Sequence, residues 1–112
     1  MKVLMLMWTE RDAASGDDAD FQVWADFDAE VKAAGAFVQN GALEPPAQAK
    51  LVRPDIARPA PHEAVVDGTV LPGANQIQAF YLIDVPDMDT ALTWAKRLPT
   101  YGTVEVRALL DY

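Results

Sequence analysis

The chain contains no cysteine, which excludes disulfide staples, thiolate nucleophiles and cysteine-based metal sites. It has one histidine, His62, and one serine, Ser15, so no histidine pair can hold a metal and no Gly-x-Ser-x-Gly elbow exists. Phosphate-cradling glycine runs are also missing. No apolar stretch approaches the roughly 20 residues of a membrane span. The opening "MKVLMLMWTERD" is too short in its apolar run for a secretory signal, has no cleavage site and meets charge at once, which points to a soluble cytoplasmic protein. Basic residues are scarce. Nine Lys and Arg face 17 Asp and Glu, leaving a formal charge of -8. Such a surface repels phosphate backbones, so nucleic acid is not an expected partner.

What is present is a single domain's worth of core: 112 residues, 51% of them hydrophobic. "KVLMLMW" (Lys2 to Trp8) is apolar on both alternating faces, as a central strand requires. "SGDDADFQVWADFDAEVKAAG" places Phe21, Trp24, Phe27, Val31 and Ala34 at spacings of three and four, a helical stripe ending at Gly35. "NGALEPP" reads as a turn and connection, and Ala47 to Arg53 as a second strand. "PDIARPAP" reads as an extended loop, "HEAVVDG" as a short strand and "NQIQAFYLIDV" as a long one. "PDMDTALTWAKRLP" reads as a second helix with Asp87 as its N-cap and Met88, Ala91, Leu92, Ala95 and Leu98 facing inwards. Gly102 to Leu110 alternates as a last strand.

The order β-α-β-β-β-α-β predicts an α+β, ferredoxin-like βαββαβ plan with one extra short strand. Two helices can cover only one face of a four-stranded sheet, yet "VLMLMW" and "FYLI" are apolar on both. A homodimer with its open sheet faces together is the simplest consequence.

The segments "KVLMLMW", "NGALEPPAQAKLVR", "FYLIDVPDMDTALTWAKRLP" and "GTVEVRAL" together resemble the YCII-related proteins, in the branch named for an Asp-Gly-Pro-Phe signature. That resemblance implies a ferredoxin-like, dimeric α/β-barrel fold. Most relatives are uncharacterised, some resemble small-molecule enzymes, and members of the branch are often encoded beside alternative sigma factors. The signature is altered here: in "DGTVLPGANQIQAF", Asp67, Gly68 and Gln76 match, the length is kept, and the charged middle is replaced by neutral residues. Relatives proper carry a His in the first helix and an Asp after the second, thought to form an acid/base dyad. The matching positions are Trp24 and Leu98, neither of which can move a proton. The resemblance therefore implies a chain without that chemistry.

Acid/base work would need another titratable group in a partly dry pocket. Asp67 is one candidate; its alternative role is to bond its own turn, as Asp-Gly often does. Asp28 lies about 80° from the centre of the first helix's stripe, where a carboxylate can either enter a helix-sheet cleft or mark the edge of the wet face. Trp24 is a core residue or the wall of a reshaped pocket, and Tyr81 a ligand-facing donor or a dimer-contact residue whose hydroxyl needs a partner. Arg53 and Arg107 could clamp an anion, or pair with strand acids such as Glu105. His62, beside the proline-rich loop, is read as exposed. "SGDDAD" lacks the glycine and distal Glu of a calcium loop, so no metal is predicted, and nothing calls for an organic cofactor. Two functions remain in view. One is a non-catalytic or regulatory dimer that binds a small aromatic or keto-acid molecule in the helix-sheet cleft. The other is a cofactor-independent lyase or isomerase using Asp67 or Asp28.

Overall fold

A computed structural model describes residues 1–9, 18–53, 64–71, 73 and 75–111. The doubly apolar opening forms β1 (Lys2–Thr9), the inner strand of a four-stranded antiparallel sheet. It is flanked by β5 (Gln76–Asp84), whose run "QIQAFYLID" is the other long strand, and by β6 (Val104–Ala108). The fourth strand is β2 (Phe37–Ala42), paired with β5 to give the order β2-β5-β1-β6. With two helices, α1 (Asp18–Ala33) and α2 (Met88–Ala95), this is an α+β architecture compatible with the ferredoxin-like plan.

Two sequence expectations are corrected here. The segment opening "NGALEPP" is not a turn, because Asn40, Gly41 and Ala42 lie within strand β2. Gly41 is there for space: a Cβ on it would sit 2.8 Å from Cε1 of Phe80, its partner on β5. Further on, a short 3₁₀ turn (Pro46–Gln48) delays the next strand, β3, to Lys50–Arg53. That strand does not join the main sheet. It pairs antiparallel with β4 (Ala64–Asp67) in a separate ribbon, so the described residues hold two extra strands rather than one.

Helix ends follow local chemistry. Gly35 takes φ +73°, and the amide of Ala36 donates to the carbonyl of Val31 at 3.1 Å while that of Gly35 donates to Lys32 at 3.0 Å, a Schellman stop. At the start of α2 the Asp87 carboxylate accepts from the amide and hydroxyl of Thr90, at 2.8 and 2.7 Å. The Thr90 side-chain bond leads in holding the Asp87 carboxyl below its ordinary range, helped by the amide bond.

Both helices lie on one face of the sheet. Val3, Met5 and Met7 of β1 and Tyr81 and Ile83 of β5 are buried against Phe27 and Val31 of α1, Ala91 of α2 and Leu98 just beyond it. The helical stripe of α1 is narrower than its pattern suggests. Phe21 is 78% exposed, one turn before the first residue to reach the core, and Ala34 falls in the stop rather than in the helix. The other face carries Leu4, Leu6 and Trp8 of β1 against Leu82, Phe80 and, past a shift of register that skips Gln78, Ile77 of β5, all half-buried. The thinnest extent of the molecule is 17 Å, room for one helical layer on one sheet, and no described helix crosses this second face.

Candidate functional site

The period of α1 puts Phe27 and Val31 in the core and swings Asp28 to the margin of the helix-sheet contact, where it is half-buried. Beneath it β5 presents Tyr81, fully buried, and β2 presents Asn40 opposite Tyr81. The three side chains meet. The Tyr81 hydroxyl donates to Oδ1 of Asp28 at 2.7 Å, and Nδ2 of Asn40 donates to the same oxygen at 3.2 Å. Aromatic rings enclose the cluster: Trp24 stacks on Tyr81 at 6.4 Å between centroids, and Phe27 and Phe37 meet its ring edge to face at 5.4 and 5.8 Å. Burial foremost, then the bond to Asp28 and its charge, push the Tyr81 hydroxyl well above its ordinary value. It is therefore a fixed neutral donor at physiological pH, unsuited to taking a proton from a substrate.

The other sequence candidates lie elsewhere. Asp67 ends β4 with its side chain 82% exposed and forms an ion pair with Lys50 across the ribbon. Arg53 is exposed on the ribbon, in register with Ala64. Arg107 is exposed on β6, in register with Leu4 and so on the face opposite Asp28. Asp28, Tyr81 and Trp24 are thus brought together, and Asp67, Arg53 and Arg107 are not part of that cluster. His62 and the first half of "SGDDAD", residues 15–17, lie outside the described residues. Among the described residues no group of three His, Cys, Asp or Glu is placed to hold a metal, and no helix is long and apolar enough to cross a membrane.

A second feature was not foreseen. A cavity of about 440 Å³ lies between the end of the open sheet face and the ribbon, walled by Trp8, Leu43, Leu51, Val70, Leu71 and Ile77. The loop after β4 forms one side of it. Gln76 is buried and folds back on this loop, its amide donating to the carbonyls of Leu71 at 2.7 Å and Gly73 at 2.9 Å. Thr69 Oγ1 donates to the Leu71 carbonyl as well, at 2.7 Å. The amide of Gly68 donates to the Ala49 carbonyl at 3.0 Å and ties the loop to the chain entering β3.

The family model of the YCII-related domain matches residues 1–112, the whole chain. The chain belongs to the YCII-related family. No curated protein matches it. In this YCII-related chain the two positions that the resemblance assigns to a His/Asp dyad hold Trp24, packed on Tyr81, and Leu98, buried under α2. Asn40 and Gln76 are the polar residues that sequence reasoning missed. Asn40 lay in the supposed turn. Gln76 had a usable signal, since it opens the strand at a matching position of the altered signature.

Proposed function

We propose that this YCII-related chain is a non-catalytic, regulatory module that binds a small aromatic or keto-acid molecule and works as a homodimer. One contrast carries the reading: Tyr81 and Asp28 on the helix-sheet side are committed to one another, while the open volume beside the ribbon is walled mainly by apolar side chains. A tyrosine held neutral, with its hydroxyl given to Asp28, supports a structural role for that pair. The dimer rests on the half-buried apolar rows of the open face, Leu4, Leu6 and Trp8 beside Phe80 and Leu82, which a second copy would cover.

A thermal-shift panel of small aromatic molecules, neutral ones included, and keto acids, run on wild type and Asp28→Asn, tests this function. The expected result is a ligand that raises the melting temperature of both proteins equally. Silence across the panel would overturn the binding reading. The runner-up, a lyase or isomerase, draws on the half-buried carboxylate of Asp28 between two polar partners. A ligand that stabilises wild type and is consumed by it, with turnover lost in Asp28→Asn, would establish that alternative instead. Light scattering at micromolar concentration should give twice the mass of the 112-residue chain, and Leu6→Asp should halve it.

A further inference from the structure

We infer that the cavity between the sheet and the ribbon takes a neutral aromatic molecule and rejects its carboxylate counterpart. This inference rests on the small-molecule reading above and narrows it from aromatic or keto acid to one chemical class. Size admits a ligand, since about 440 Å³ falls within the ~300–1,000 Å³ of small-molecule sites. The apolar walls and the Trp8 ring favour a flat, ring-bearing body.

Charge then selects among such bodies. An anion entering the cavity must exchange its water for donors on the wall, because a desolvated carboxylate without partners is strongly unfavourable. Apart from the exposed Gln48 amide, the side-chain donors there are already engaged. Lys50 is neutralised by Asp67, the Gln76 amide holds the carbonyls of Leu71 and Gly73, and the Thr69 hydroxyl is given to Leu71 as well. Glu44 on the rim and the net charge of -8 add repulsion. The neutral middle of the loop after Asp67, which puts Thr69, Val70 and Leu71 on the wall, thereby acquires a purpose: it adds no charge on the loop's side of the cavity.

Matched probes of one shape test the inference. 2-Naphthamide and 2-naphthoate are titrated into the full chain while the indole N–H resonances of Trp8, Trp24 and Trp94 are followed by ¹H–¹⁵N spectroscopy. The amide should shift the Trp8 resonance saturably, leave Trp24 and Trp94 in place, and bind at least roughly tenfold more tightly than the acid, the scale of one uncompensated charge at a partly wet site. Leu71→Asp, at an exposed position tolerant of a polar residue, should weaken the amide by a similar factor. Ala49→Trp should do so by filling the space. Equal or tighter binding of 2-naphthoate would overturn the choice of class, and a shift confined to Trp24 or Trp94 would move the site to the helical layer. Either result leaves small-molecule binding standing. No shift with either probe would also overturn this inference, and the thermal-shift panel then decides the broader reading by itself.

Discussion

The two faces of the main sheet are built from the same strands and end in different states. On the covered face Val3, Met5 and Met7 meet two helices and are buried, whereas on the other Leu4, Leu6 and Trp8 stay half-buried beneath no described helix. Each face also holds one aromatic donor bonded to a carboxylate. Tyr81 gives its hydroxyl to Asp28 at 2.7 Å under the helix, and the Trp8 indole gives its N–H to Glu105 at 3.2 Å on the open side. The bond on the covered face is the shorter and drier one, with its donor fully buried. Hydrophobic patterning therefore specified the strands, and only the number of helices decided which face became the core.

The sharpest way to break this comparison is to truncate neighbouring side chains on opposite faces of β1. Met5→Ala should lower stability by about 2–5 kcal/mol, the usual range for an emptied core site. Leu6→Ala should cost less in a dilute monomer, and its cost should grow with protein concentration if a second copy covers that face. Urea unfolding at two concentrations separates the cases. Equal losses for the two variants, independent of concentration, would mean that one copy covers both faces.

Next in size is the pair of aromatic-carboxylate bonds. Tyr81→Phe leaves Asp28 with Asn40 alone among these partners and should cost about 1–3 kcal/mol. Trp8→Phe should cost less, its bond being longer and only partly buried. The pH dependence has a definite sign. Burial raises the folded-state value of Tyr81 above its unfolded value near 10, so the neutral phenol stabilises the fold fully below that value. As pH climbs past about 10 the unfolded chain loses this proton first, and stability falls by at most about 1.4 kcal/mol per pH unit from this group. Tyr81→Phe should show a shallower alkaline decline in urea midpoint between pH 9 and 11. Identical slopes would show that burial of the hydroxyl does not govern the alkaline limb.

How much of this was legible beforehand depends on which signal a residue carried. β1 and β5 were plain because both faces are apolar, and Asp87 because a cap is a local device. Asp28 could be placed at the helix margin from the 100° period, since periodicity survives folding. β2 was hidden by Asn-Gly, which ordinarily signals a turn. Here Gly41 makes room for the Phe80 ring, and Asn40 reaches Asp28 from within a strand, and both reasons are tertiary. The ribbon was half legible for the same cause: its strands are local, but their exclusion from the main sheet depends on β2 already occupying the edge beside β5. The cavity was illegible because it arises where Trp8 of β1 meets the ribbon and its flanking loops, whose residues lie more than 30 positions away in the chain.

The smallest effect is expected where the sequence had drawn most attention. Asp67 opens the altered signature, yet its carboxylate is 82% exposed, is paired with an exposed Lys50 and does not line the cavity, although Gly68 beside it does. An exposed pair of this kind contributes about 0.2–1 kcal/mol, so Asp67→Asn should shift the urea midpoint little and leave the fold intact. Its effect on ligands is more telling than its effect on stability. Without Asp67 the Lys50 ammonium is no longer neutralised, so a carboxylate probe should bind the variant better than wild type while the neutral probe is unchanged. Titration of 2-naphthoate into both proteins measures this. Tighter binding in the variant would give Asp67 a role in ligand choice, that of silencing the cation on the cavity wall, and weaker binding would show that the carboxylate itself contacts the ligand.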